Sequence, residues 1–234
     1  MVKLNIHISK RIKKIAYQIP KGSFFADIGS DHALLPCYVC NDDKSAKAIA
    51  GEVQEGPFER AIDNVNRYGL NNQIDVRLGD GLEVVDDRVE VVVIAGMGGK
   101  LISRILQQGS NKLVKVNKLI LQPNNNAPVL RKTLLNLNFH LSSEKIIEDN
   151  DHIYEILVAD KFHLNPYNSN IEKQMMFGPY LLENKNTTFM KYWNSEYKNL
   201  KNIIHNIRQS KSNQASNLKE FENKLTLIEE VLNE

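Results

Sequence analysis

Short apolar runs recur along this chain, most of them separated by stretches with helical spacing, and that alternation limits the fold more than any other feature. The runs fall at Phe24–Ile28, 46–52, Ile74–Leu78, 89–95, 118–122, 141–147 and 152–159, and the fourth is almost wholly β-branched. Helical spacing fills 8–19, with Ser9 as its N-cap and Pro20 and Gly22 as its stop, and then 33–40, 56–68 and 128–137. Strands that alternate with helices predict a parallel sheet covered on both faces. Near-continuous apolar strands agree, because parallel strands are buried on both sides.

The last two runs have no helix between them and should form a hairpin at the sheet edge. The predicted architecture is therefore α/β: a seven-stranded Rossmann-like sheet ending in an antiparallel pair, as in the class I methyltransferase fold. Past Phe162 the pattern changes, with Pro166, Gly178 and Pro179 punctuating a polar link. Trp193, Tyr197, Leu200, Ile204 and Ile207 then recur at alternating spacings of four and three. A polar break at 209–214 precedes a second stripe of Leu218, Phe221, Leu225, Ile228 and Leu232. Two such stripes predict an antiparallel, coiled-coil-like helical hairpin. The expected division is a catalytic domain over 1–162 and a helical domain over 163–234.

Candidate functional residues cluster where the predicted strands end. Asp27-x-Gly29 follows the first strand, where glycine admits a ligand close to the backbone and the next helix offers free amides. A dinucleotide fingerprint would place glycines at 31 and 34, but Asp31 and Leu34 stand there. Asp31 would repel a pyrophosphate, which disfavours a nicotinamide enzyme and suits a cofactor with a cationic end, such as S-adenosylmethionine. Ser30 and His32 complete that turn, and His32 is either a ligand contact or a cap of the following helix. Glu52, with Val53 after it, closes the second strand, where an acid receives ribose hydroxyls in folds of this kind. Asp80-Gly81 follows the third strand and can accept from an adenine amino group. Ala95-Gly96-Met97-Gly98-Gly99 follows the fourth, a glycine density that suggests backbone against ligand or substrate. Gln122-Pro123-Asn124 ends the fifth; its amides either bond a base edge or simply make a turn.

Together these segments resemble the TrmK family of bacterial tRNA adenine-N1 methyltransferases, which act on the adenosine at tRNA position 22. The resemblance rests on Asp27-Ile-Gly-Ser-Asp-His-Ala33, Leu35-Pro36, Gly51-Glu-Val-Gln-Glu-Gly-Pro57, Gly79-Asp-Gly-Leu82, Ile94-Ala-Gly-Met-Gly-Gly99 and Leu121-Gln-Pro-Asn124. It implies S-adenosyl-L-methionine as cofactor, tRNA as partner and methylation of adenine N1. The cofactor contacts it implies are Asp27, Gly29, Ser30, Asp31, His32, Glu52, Val53, Asp80, Gly81, Ala95, Gly96 and Met97. Many amino-methylating enzymes of this fold carry Asp/Asn-Pro-Pro-aromatic after the fourth strand, and Ala-Gly-Met-Gly-Gly fills that slot here. Exocyclic-amine methylation is thereby disfavoured. A group near the base, Asn124 or Asp31, is the catalytic candidate for taking the N6 proton. Another substrate for the same chemistry, or a catalytically silent RNA-binding protein, is the alternative.

Charge adds one feature. The 234 residues carry a net charge of only +2, yet Lys3, Lys10, Arg11, Lys13, Lys14 and Lys21 occur before residue 23 with no acid among them. That segment is either a solvated helix face or a phosphate contact, with Lys10, Arg11, Lys13 and Lys14 as the RNA-binding candidates. No apolar run is long enough for a membrane helix, and 1–5 lacks the core of a signal peptide. Cys37 and Cys40 lack a second pair for a zinc site and read as core thiols, so no metal is expected. The expected protein is cytoplasmic, and a monomer or weak dimer.

Overall fold

The computed structural model describes residues 6–209 and 215–234. The expectations for 1–5, including Lys3, and for the polar break beyond Gln209 lie outside the described residues. Five strands run parallel: β1 (Phe24–Ile28), β2 (Lys47–Glu52), β3 (Ile74–Leu78), β4 (Val91–Met97) and β5 (Lys118–Pro123). The antiparallel pair β6 (His140–Asp149) and β7 (His152–Asp160) completes a seven-stranded sheet in the order β3-β2-β1-β4-β5-β7-β6. This is the expected architecture, with β7 inserted between β5 and β6.

Burial follows the pleat. Phe25, Val91 and Val93 enter one core layer, whereas Ala26, Val92 and Ile94 enter the other. The first layer is closed by α1 (Lys10–Ala16), α2 (Leu34–Asp42) and α3 (Glu55–Arg67), through residues such as Ile15, Cys37 and Val65. The second is closed by α4 (Gly99–Gln108) and α5 (Ala127–Asn136), through Ile102, Leu106, Leu130 and Leu134. The Ser9 Oγ accepts from the Ile12 amide at 3.2 Å, as an N-cap should. Burial pushes the Cys37 and Cys40 thiols up to about 12, so both are inert core groups.

Two departures bear on the site. β4 begins and ends two residues later than the pattern predicts, so the strand runs into the glycine motif. The pattern singles out no element between residues 95 and 118, yet α4 forms there directly after that motif.

Beyond the sheet, α6 (Ile171–Phe177) and α7 (Pro179–Glu183) occupy what reads as a polar link. They lead to α8 (Thr187–Gln209) and α9 (Ala215–Asn233). The stripes pair as expected: Arg208 meets Glu222 and Tyr197 meets Glu229, which makes α8 and α9 antiparallel. Their apolar core contains Trp193, Leu200, Ile204, Ile228 and Val231, and it continues into Ile146 of β6. A buried ion group fastens the junction. Arg131 of α5 is fully buried and bonds Glu144 of β6 at 2.7 Å and Glu155 of β7, and its Nη1 donates to the Met175 and Met176 carbonyls of α6. Glu144 in turn accepts from the Tyr180 amide of α7 at 3.1 Å.

Candidate active site

The parallel register brings the C-terminal ends of β1 to β5 together along one edge. Ile28 stands beside Gly51 and Ile94, Glu52 beside Leu78, and Met97 beside Pro123. Backbone bonding continues past the strands: Gly29 and Ser30 both donate to the Gly51 carbonyl, Gly79 donates to Glu52, and Asn124 to Met97. The loops are therefore extensions of the sheet, and the separate sequence motifs become one rim. A cleft of about 490 Å³ opens on this rim, lined by Asp27, Gly29, Asp31, Gly96 and Met97 with Arg11 of α1 across it.

The first turn is conformationally costly. Gly29 has φ +67°, and a Cβ there would lie 2.3 Å from the Met97 methyl, which would have to move aside, so glycine is favoured. Asp31, His32 and Ala33 follow with φ of 47°, 72° and 57°, three successive left-handed residues, none a glycine. That turn aims the Asp31 and His32 amides at the Glu52 carboxylate. Asn64 and Arg60 of α3 secure it by bonding the His32 carbonyl at 2.9 Å and ring Nδ1 at 3.2 Å. His32 therefore ties the turn to α3, and the cap position of α2 falls to Ala33.

Two carboxyls are held away from water here. Asp27 is 4% exposed, and burial pushes it up to about 7 although the Ser30 hydroxyl, 2.6 Å away, opposes the shift. Glu52 is also raised by burial, and its Oε1 has no hydrogen-bond partner among the described residues. A buried carboxylate oxygen left unsatisfied calls for a ligand donor. Asp80 is exposed at the end of β3, with its amide donating to Glu83, and Gly81 follows at φ +53°. Val53 is 62% exposed beside Glu52, an apolar surface open to a flat ligand.

The ladder between β4 and β5 breaks at Gly96, where pairing skips from Ala95–Gln122 to Met97–Pro123. Side chains take over. Gln122, completely buried, accepts the Gly96 amide on Oε1 at 3.1 Å, and its Nε2 donates to Asn124 Oδ1 at 3.2 Å. Asn124 Nδ2 returns to the Gly96 carbonyl at 2.7 Å, which closes a ring of hydrogen bonds. Arg11 also donates to Gln122 Oε1, lies 5.2 Å from the Tyr154 ring centroid, and has its own amide bound by Asp149.

The sequence-chosen strand-end residues thus share one rim. Lys13 is exposed, and Lys14 lies close enough to Lys145 to help lower its pKa after burial does so. Lys10 donates to the Glu148 carbonyl at 2.9 Å. Arg11 differs from its neighbours: its guanidinium points into the site, away from an open phosphate-binding face. Asn124 also needs a change of role, because a carboxamide is no base at neutral pH and cannot take a proton. Sequence reasoning named Arg11 only as an RNA-backbone candidate, without a place in the cleft, and gave Gln122 no distinct part. Two amides flanking Pro123, a residue with no N–H for the ladder, were the available signal for Gln122.

The strand order, the glycine rim at the ends of β1 to β4 and the paired acids define a class I methyltransferase-type nucleotide-binding fold. The model of the family TrmK, tRNA (adenine(22)-N(1))-methyltransferase, matches residues 25–230, and the chain belongs to this family. It is 40% identical to the Bacillus subtilis tRNA (adenine(22)-N(1))-methyltransferase across 97% of this chain and 98% of that one. The crystal structure of the B. subtilis m1A22 tRNA methyltransferase TrmK superposes with a TM-score of 0.91 at 39% identity, covering 97% of this chain and all of that one (100%). M. capricolum TrmK, in complex with the natural cofactor product S-adenosyl-homocysteine, gives 0.84 at 28% identity over 97% and 98%.

Proposed function

We propose that this chain is an S-adenosyl-L-methionine-dependent enzyme that methylates N1 of the adenosine at position 22 of tRNA. The observation that carries the reading is the continuous rim from Asp27 to Asn124 in a chain that matches its relatives over nearly their whole length. When bound, the cofactor supplies an electrophilic methyl group on a sulfonium. The residues present fit it. Asp27, steadied by Ser30, offers a buried carboxyl to a cationic amine, and Glu52 offers its unsatisfied Oε1 to ribose hydroxyls. Asp80 and Gly81 suit an adenine amino group, with Val53 alongside the ring. Asp31 and His32 shape the turn, while Ala95, Gly96 and Met97 give backbone against the reacting end.

Adenine N1 keeps its lone pair at neutral pH, so no residue has to take a proton before transfer. The work of the site is alignment and exclusion of water. N1 faces the pairing partner in a helix, so the target must be unpaired or turned out. Of the catalytic candidates, Asp31 has an 87% exposed carboxylate able to receive the N6 proton and pass it to water. Asn124 is the group that hydrogen-bonds the base. Lys10, Lys13 and Lys14 serve the RNA backbone at the edge of the cleft.

The catalytic part over 1–162 and the helical part over 163–234 are read as two domains of one cytoplasmic protein. No helix among the described residues is long and apolar enough to cross a membrane. The hairpin spends its apolar stripe on itself and on Ile146, which favours a monomer or weak dimer. Incubation of the protein with methyl-labelled cofactor and unmodified tRNA, followed by nucleoside analysis, tests the reading. 1-Methyladenosine at position 22 is expected; labelled tRNA without it would reassign the substrate base.

A further inference from the structure

The hydrogen-bond ring around Gly96 determines which way two amides face. Gln122 Oε1 meets two donors, the Gly96 amide and the Arg11 guanidinium. Flipping the carboxamide would set an NH2 group against both, one of them cationic and none of it reachable by water, since Gln122 is 0% exposed. Its Nε2 is therefore committed to Asn124 Oδ1. With Oδ1 thus identified, Asn124 Nδ2 is the group that donates to the Gly96 carbonyl. Each end of the Asn124 amide is left with one valence: a lone pair on Oδ1 and an N–H on Nδ2, on a residue that is exposed at the rim.

A free acceptor on Oδ1 and a free donor on Nδ2 complement the N6 amino group and N7 of adenine. That edge identifies the base without using N1. Guanine is rejected by the same amide, because its O6 acceptor would oppose Oδ1. Resting on the N1-adenine reading above, we propose that Asn124 recognises the N6/N7 edge of the target adenine. Arg11, acting through Gln122, is the positioning residue that fixes the direction of that recognition. Arg11 thus belongs to substrate selection, although its sequence neighbours Lys10, Lys13 and Lys14 belong to the basic surface.

The test is a cycle between protein and RNA. Transcripts carry either adenosine or 7-deazaadenosine at the target position; the latter keeps N1 and N6 but has carbon at position 7. Wild-type enzyme should lose about tenfold in kcat/KM on the deaza transcript. Asn124→Ala should be slower on adenosine and show no further loss on 7-deazaadenosine. Arg11→Ala should shrink the deaza penalty in the same way, with the salt slope of tRNA binding unchanged. Arg11→Lys, which can still reach Gln122 with one donor, should restore part of the penalty. Equal wild-type rates on both transcripts, or an undiminished penalty in Asn124→Ala, would overturn the proposal. So would a fall of about one in the salt slope for Arg11→Ala, the mark of a phosphate contact. Failure of wild-type enzyme to form 1-methyladenosine on the adenosine transcript would strike the functional reading instead.

Discussion

Asp27 shows what burial does to a single residue. Its carboxyl ordinarily titrates near 3.8 and here titrates near 7, so between those values the folded chain holds a proton that the unfolded chain has lost. Stability contributed at this position therefore falls as pH rises through that window. Melting temperature against pH should be flatter in Asp27→Asn across pH 4–7. A cation bound beside Asp27 favours the ionised form, so binding should release a proton. S-adenosylhomocysteine affinity should rise by up to about tenfold per pH unit below pH 7 and level off above it, measured by calorimetry in buffers of different ionisation heat. At this scale the sequence was informative where strand geometry sets the spacing. Asp27, Glu52 and Asp80 are readable because a carboxylate at or just beyond the C-terminal end of a parallel strand lies on the ligand edge. The place of Arg11 in the cleft was not readable, because its partner Gln122 lies 111 positions away and only the folded sheet joins them.

Among the strands, β4 carries the glycine motif and was the least well bounded from sequence. Pattern alone ends a strand where glycines begin, but here the ladder resumes at Met97 after one bulged residue. Gly96 at φ +77° is that residue, and a Cβ on it would sit 3.4 Å from Arg11 Nη1. Gly96→Ala should cost about 1–2 kcal/mol of stability from the left-handed backbone alone. Methyl transfer should fall by more than stability does, because the strained residue lines the cleft; denaturant unfolding and single-turnover rates on the same preparation separate the two. β1 and β3 occur within their expected bounds, since β-branched and aromatic runs with turn residues on both sides leave little freedom. By contrast α6 and α7 are too short, at 7 and 5 residues, for periodicity to reveal them.

At the scale of the whole molecule, the helical part is bonded into the sheet and is not hung from a linker. Removing Arg131 would strand Glu144, whose side chain is 0% exposed, in a dry junction. Arg131→Met should cost about 3–5 kcal/mol in chemical denaturation. The loss should ease at low pH, where Glu144 protonates, its carboxyl being raised already by burial. The same junction affects truncation. A cut near residue 165 takes away the carbonyls of Met175 and Met176 and the amide of Tyr180, so the fragment should unfold readily as well as lose RNA. A cleaner probe of the hairpin's part in RNA binding is a charge swap at exposed Lys198, Lys201 and Lys219. If the hairpin grips tRNA, affinity should fall and its salt slope lessen, with cofactor binding intact. Paired stripes were legible in the sequence; the ion group beneath them was not, since Arg131, Glu144 and Glu155 share no local pattern.

The three left-handed residues after Ser30 also bear on how this protein would respond to selection for heat tolerance. Glycine at Asp31, whose side chain is 87% exposed, would relieve backbone strain of about 1–2 kcal/mol and, against the glycine's greater unfolded-state entropy, leave a small net gain. The same relief would slacken the amides that hold Glu52. A thermostable lineage screened without its cofactor would therefore drift toward a better-folded and poorer enzyme, beginning at this turn.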